Sequence, residues 1–270
     1  MSNTGDQSSL IAEAVRRILE ESALAALATL VEAREPVGAK MLVEESGART
    51  GTLGSAELDE AVARAAQKFL ASRDEAATFS VEILPASVTA RVLFERIEPE
   101  PRLVICGAGH VGAALARLAN LVGYKTTLID DRASFVTRER FPEEEIELVA
   151  AESWSDAVRE SVGKGRGVAV AVVTRGHNED EECMRAVLAA RPSYVGLIGS
   201  KRRTNIVLER LREAGFDEKI LEQVRAPIGL DIGAVSPEEV ALAILAEIVA
   251  ERRDGTCLPI SAWRRVRKKV

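Results

Sequence analysis

Apolar positions follow helical and alternating periods in the first third of the chain, then settle into short continuous runs separated by helical stretches. Leu10, Ile11, Ala14, Val15, Ile18 and Leu19 lie three and four apart, so a helix is predicted over residues 10–21, capped by Ser8 or Ser9. Residues 1–9 ahead of it are polar and are expected to be disordered. Residues 23–33 suit two readings: their Ala and Leu content continues the helix, whereas the break at Glu35-Pro36 and the run 37–44 suggest a strand pair. Gly47, Gly51 and Gly54 punctuate a turn-rich piece. Helical spacing returns over 57–71 through Leu58, Ala61, Val62, Ala65, Phe69 and Leu70, and residues 78–84 and 87–97 alternate like strands.

Glu98-Pro99-Glu100-Pro101 then continues neither a helix nor a central strand and is read as a linker. It divides residues 1–98, a small α+β domain, from 102–253, with a tail over 254–270. Beyond it, 103–106 is an apolar run, and an Ala/Leu-rich helical stretch leads to a second run ending at Asp130. Residues 147–150, 167–173 and 194–198 read as further strands, the longest of them apolar throughout, as when both faces are covered. Residues 154–162, 183–190, 201–214 and 237–252 read as helices, the last opening on Ser236-Pro237-Glu238-Glu239, a cap, a first-turn proline and two acids. Strands alternating with helices predict an α/β class: a C-terminal Rossmann-like, parallel, doubly wound sheet beside the smaller N-terminal domain.

The junction after the first of these strands is Gly107-Ala108-Gly109-His110-Val111-Gly112. In a strand-to-helix turn Gly107 permits the sharp bend, Gly109 leaves room for a pyrophosphate against backbone, and Gly112 lets helix approach strand. The helix's first N–H groups then face an anion. Asp130, about 20 residues on, is placed to accept from a ribose diol.

Ligands of an open parallel sheet sit at the carboxyl ends of its strands, which brings further loops into view. In Asp130-Asp131-Arg132 the arginine suits a phosphate or Asp131. Thr174-Arg175-Gly176-His177 follows a buried strand, with Asp180 serving either the ligand or the first helical turn. Gly199-Ser200-Lys201-Arg202-Arg203 suits an anion or forms a solvated helix face. His110 and His177 are the only histidines; a metal site would need a third ligand, and hydrogen bonding to a ligand or neighbouring loop is the simpler role. The stretch 226–234 is too apolar for a surface loop and is expected to fold onto the sheet, carrying Asp231 inward. No Ser/His/Asp order, H-E-x-x-H or paired-carboxylate arrangement names a catalytic base.

Composition narrows these readings little. The net charge of −6 argues against generic nucleic-acid binding, although residues 263–269 are basic without an acid, a solvated tail or a docking element for an acidic partner. No leader-like segment or run of about 18 apolar residues is present, so a cytoplasmic chain without membrane contact is expected. Cys106, Cys183 and Cys257 lie far apart and suggest neither a disulfide framework nor a cysteine zinc site.

CGAGHVG, IDDR with a following Arg140-Phe141-Pro142, TRGH with Asp180, YVGLIGSKRR, APIGLDIGA and SPEEVALAILAEIVAER together resemble the XdhC/CoxI family, accessory proteins of molybdenum hydroxylases. The resemblance covers about residues 102–253 in the Rossmann part; VGAKMLVEESGARTGTLGSAELDEAV resembles the family's smaller domain. There the family usually has a glycine pair, a cysteine and a glutamate, where this chain reads Gly54-Ser55-Ala56-Glu57-Leu58, without the pair or the cysteine. What the resemblance implies is a chaperone that binds molybdenum cofactor, as molybdopterin or its dinucleotide form. It would protect the cofactor while a cysteine desulfurase installs the terminal sulfur, then deliver it to a hydroxylase of the xanthine or CO dehydrogenase type. A homodimer is the family's common state. The competing reading of the same loops is an NAD(P)-dependent oxidoreductase, with Asp130 favouring NAD and Arg132 leaving NADP open; a nucleotide-sensing interaction module is a third.

Overall fold

The computed structural model describes residues 4–21, 23–33, 37–72, 74–83, 88–163, 165 and 167–262. The chain divides into two compact units, residues 1–99 and 100–270.

The first unit is an antiparallel sheet with a helix on each face. Its elements are α1 (Thr4–Glu20), β1 (Ala25–Glu32), β2 (Lys40–Glu44), β3 (Arg49–Gly51), α2 (Ala56–Leu70), β4 (Ala76–Ile83) and β5 (Val88–Ile97), in sheet order β3-β2-β1-β5-β4. β1 is central and buried on both sides: Ala25 packs with Ala14 and Ile18 of α1, whereas Ala26, Ala28 and Leu30 face Leu58, Val62 and Phe69 of α2. Two-sided burial removes the alternation that marks a strand, which is why 23–33 reads equally as helix. α2 is capped by Ser55, whose hydroxyl accepts from the Leu58 N–H.

α1 begins at Thr4, ahead of Ser8 and Ser9, so the residues from 4 to 9 are helical and not disordered; residues 1–3 lie outside the described residues. The extra turn is held by Gln7, whose amide donates to the carbonyls of Lys40 and Thr52, each at 2.8 Å. The run 37–44 supplies one strand, β2, and its partner β3 comes from the glycine-punctuated piece.

The second unit is α/β. Its elements are β6 (Arg102–Cys106), α3 (His110–Leu121), β7 (Lys125–Asp130), β8 (Ile146–Ala150), α4 (Trp154–Val162), β9 (Val168–Val172), α5 (His177–Ala190), β10 (Tyr194–Leu197), α6 (Lys201–Glu213), α7 (Glu218–Leu221) and α8 (Pro237–Arg252). All strand pairs are parallel, in the order β10-β9-β6-β7-β8. Strand order reverses at β6, so the crevice of a doubly wound sheet opens between the loops that follow β6 and β9. Leu103, Ile105, Ala169 and Ala171 face α3 and α8, and Val104, Cys106, Val168 and Val170 face α4 and α5.

Residues 225–228 lie along the outer side of β10. The Arg225 N–H donates to Val195 O and the Leu197 N–H to Arg225 O, both at 2.9 Å, and the Ile228 N–H donates to Leu197 O at 3.0 Å. Ile228 is buried in the core, as expected for this stretch, but Asp231, Ile232 and Val235 are exposed. Asp231 therefore points outward, a correction: the segment is anchored by Ile228 and leaves the sheet after Gly229. Among the described residues no helix is long and apolar enough to cross a membrane. The basic stretch 263–269 lies outside the described residues.

Candidate functional site

β6, β7, β9 and β10 bring the loops singled out above to one edge of the sheet. Gly107 has φ +115°, and a Cβ there would stand 2.6 Å from Val173 O. A Cβ on Gly112 would fall 1.8 Å from Gly107 O, so neither Gly107 nor Gly112 tolerates a side chain. Gly109, between them, is different: a Cβ there would meet nothing within 4 Å. It is the N-cap of α3, supplies no side-chain cap, and is followed by no acid in the first turn. Among the described residues no acceptor meets the backbone N–H groups of Gly109, His110, Val111 or Gly112, while Ala113 N–H makes the first helical bond, to Gly109 O at 2.9 Å. Open N–H groups at the positive end of a helix, beside open space, are the kind of surface that favours an anion. His110 is exposed at this start.

Asp130 is turned inward, only 1 % exposed. One carboxylate oxygen accepts from Ala108 N–H at 2.7 Å and Arg132 Nη2 at 2.9 Å, the other from Arg132 N–H at 2.9 Å and Arg132 Nε at 2.8 Å. A carboxylate offers about four lone-pair sites, and all are taken. Burial pushes the Asp130 carboxyl up, but the hydrogen bonds from Arg132 and Ala108 and the charge of Arg132 outweigh it and hold it below its ordinary value. Asp130 thus braces the glycine turn, and a ribose diol would have to displace Arg132 to reach it. Arg132 lies over the Phe135 ring at 3.5 Å, its charge offset by Asp130.

At β9 the acids and cations also satisfy one another. Arg175 donates to Asp131 Oδ2 at 3.0 Å and to Glu179 Oε1 at 3.2 Å, joining the loops on either side of β6. Glu179 curls back over Gly176, the N-cap of α5, so that a Cβ on that glycine would lie 2.3 Å from its carboxylate. The Glu179 carboxyl is held below its ordinary range, chiefly by its own backbone N–H and against partial desolvation, with help from Arg175. Asp180 is fully buried, accepting from the Thr174 hydroxyl and from Arg203 Nε at 2.8 Å. Arg203 is therefore committed to a structural pair. The start of α6 is capped by Ser200, which accepts from the Arg203 N–H at 3.3 Å; Gly199 precedes it with φ +149°. Lys201 and Arg202 are exposed on its first turn, and His177 is the first residue of α5.

Arg140 joins this edge without having been picked out as a site residue by the strand-end argument. It donates to Phe135 O at 2.6 Å and Ala108 O at 3.2 Å, with its guanidinium 4.6 Å from the Phe135 ring and 5.4 Å from that of Phe141. The only advance signal is the Arg140-Phe141-Pro142 motif. Cys106 and Cys183 are buried and free, and burial, with the neighbouring Cys106 thiol, pushes the Cys183 thiol up, which suits core residues. Among the described residues no group of three or more His, Cys, Asp or Glu is placed to hold a metal ion.

The fold and this edge define a Rossmann-type unit in which the α3 start has open N–H groups and the carboxylate at the end of β7 is taken up by the protein itself. Residues 103–248 match the XdhC Rossmann domain, and residues 18–81 match the XdhC and CoxI family. The chain belongs to the XdhC and CoxI family. Escherichia coli (strain K12) YqeB is 29 % identical over 250 residues, 88 % of this chain and 46 % of YqeB. A probable xanthine dehydrogenase subunit of Bacillus subtilis (strain 168) is 30 % identical over 165 residues, 61 % of this chain and 47 % of that protein. The molybdenum cofactor insertion chaperone PaoD of E. coli (strain K12) is 28 % identical over 167 residues, 61 % of this chain and 45 % of PaoD. The chain thus spans about half the length of these curated relatives. In fold it is similar to a crystal structure described as a xanthine dehydrogenase from Bacillus halodurans, with a TM-score of 0.52 and 19 % identity over 93 % of this chain and 98 % of that one.

Proposed function

We propose that the chain binds molybdenum cofactor through its phosphate portion and delivers it to a molybdenum hydroxylase of the xanthine or CO dehydrogenase type. The observation that carries this reading is the unequal state of the two halves of the fingerprint. The α3 start presents open N–H groups at Gly109, His110, Val111 and Gly112, whereas the carboxylate that would hold a dinucleotide's ribose is occupied. This inequality supports a phosphate at α3 over a nicotinamide dinucleotide in the ordinary pose, and with it the accessory role over an NAD(P)-dependent oxidoreductase. The names of PaoD and of the B. subtilis relative point the same way. The cofactor brings its own molybdenum; the chain's part is to hold the phosphate on backbone N–H groups, with Lys201 and Arg202 adding positive charge at the rim. A cysteine desulfurase and a second copy of the chain are further partners in this reading, tested by co-purification and by sedimentation.

Protein purified from a molybdenum-replete host should release a fluorescent pterin on acid oxidation, and should restore activity to a cofactor-free hydroxylase. Gly109→Asp places a carboxylate in the phosphate cradle and should reduce pterin to background. Release of nicotinamide dinucleotide instead of pterin would overturn the reading.

A further inference from the structure

We infer that the outward face of α8 is an interaction surface for a second copy of this chain, the two α8 helices crossing antiparallel about a two-fold axis beside Ala246. A second copy is a partner in the proposed function too, but this pairing needs nothing to be held in the crevice.

α8 is apolar on both faces, the pattern of a helix covered all round. Its inner face is covered: Ala241, Ile244, Leu245 and Ile248 are buried in one core with Leu115, Ala116 and Ala119 of α3. Its outer face is not. At 3.6 residues per turn Glu238, Leu242, Ala246, Val249 and Arg253 fall within about 80° of arc, and on that stripe Leu242 is 51 % and Val249 38 % exposed. Leu121, 80 % exposed at the end of the adjoining α3, widens the apolar surface. Aliphatic side chains in line along a helix, with a charge at each end, suit contact with another helix.

The order of residues in the stripe points to the occupant. It reads acid, leucine, alanine, valine, base. Glu238 and Arg253 stand equally far from the midpoint between residues 245 and 246, and so do Leu242 and Val249. A copy running antiparallel across a two-fold axis therefore sets Glu238 against Arg253 of the partner subunit and Leu242 against Val249 of the partner subunit, each contact made twice. A parallel copy would set acid on acid and base on base. Ala246, next to the midpoint, is short enough for the helix axes to approach to about 8 Å. The aliphatic contacts supply the affinity and the two rim ion pairs the direction, because exposed pairs add little energy whereas like charges in register repel.

Sedimentation velocity of the full chain over a dilution series tests the surface, with circular dichroism on each variant to check folding. The original chain should form a dimer that dissociates on dilution. Leu242→Glu places two carboxylates in the contact and should weaken dimerisation roughly 100-fold. Val249→Glu should act alike, and it decides if Leu242→Glu fails to fold. Glu238→Arg should weaken the dimer about 3- to 10-fold, and adding Arg253→Glu to it should restore the original affinity, both effects fading in high salt. A chain that is monomeric at every concentration, or a dimer untouched by either glutamate, would overturn the inference. A dimer that the glutamates break but the double reversal does not restore overturns the antiparallel pairing. Loss of a hydroxylase from pull-down with Leu242→Glu, when the original chain is itself monomeric, gives the face to another protein and overturns the inference as well. Pterin content keeps the cofactor reading separate: an original chain that dimerises through α8 but carries no pterin removes that reading alone, and one that carries pterin as a monomer removes this pairing alone.

Discussion

Helices α3 and α5 start on glycines at neighbouring strand ends of one sheet, yet their first turns are electrostatic opposites. Gly109 is followed by no acid in the first turn, and its surroundings are empty. Gly176 is followed by Glu179 and Asp180, one folded over the N-cap and the other buried beneath it. Both helices carry the same positive end. At α5 the chain supplies the anion; at α3 it supplies none in the first turn. A glycine N-cap is therefore uninformative by itself, and the first-turn acids tell the two apart.

The largest expected effect breaks the closed member of the pair. Asp180→Ala leaves Arg203 without its carboxylate and Thr174 without its acceptor, and should cost about 3 to 5 kcal/mol in urea unfolding; a loss under about 1 kcal/mol would show that the pair does not hold this edge. Next, Gly112→Ala drives a Cβ into Gly107 O and should destabilise by about 1 to 3 kcal/mol. Gly109→Ala, with open space around it, should leave the unfolding midpoint nearly unchanged while still weakening the binding of pyrophosphate. Equal destabilisation by the two alanines would mean that the cradle is not open.

A pH series probes the brace between them. Asp130 is held below its ordinary range when folded, so its contribution is present above the unfolded carboxyl range and is lost as pH falls through the folded value. Stability should decline below about pH 4, and Asp130→Asn should flatten that decline while lowering stability at neutral pH. The smallest effect belongs to Glu179→Gln. It should change stability by less than about 1 kcal/mol and give α5 a weak affinity for pyrophosphate, seen as a second site in a calorimetric titration. No second site would mean that closure at α5 owes more to shape than to charge.

Much of this architecture is written in local pattern. The runs 103–106, 167–173 and 194–198 signal parallel strands because each is covered on both faces. Gly107 and Gly112 are legible because a steric demand admits one residue type. β1 is ambiguous for the same reason that the parallel strands are clear, since two-sided burial erases alternation in a short segment. Where a polar side chain turns is less accessible to pattern. Asp130 stands where a ribose acceptor belongs, and only the fold reveals that Arg132, two residues on, has taken it. Asp231 lies in an apolar stretch yet faces outward, because the anchoring contacts, the buried Ile228 side chain and the Gly229 and Leu230 N–H bonds to α8, end before it. Arg140 meets Ala108, which is 32 residues away, a pairing no local spacing encodes.

The short stretch from Arg225 to Ile228 has a consequence for the chain's behaviour in a crowded solution. By taking up Val195 O, the Leu197 N–H and Leu197 O, it leaves the flank of β10 without the ladder of bare amides that recruits strands from other molecules into aggregates. Ile228 fastens this guard, its side chain seated where any side chain on Gly196 would collide. Bulk at residue 196 should loosen it, and turbidity on concentrating such a variant is the behaviour expected of an unguarded sheet.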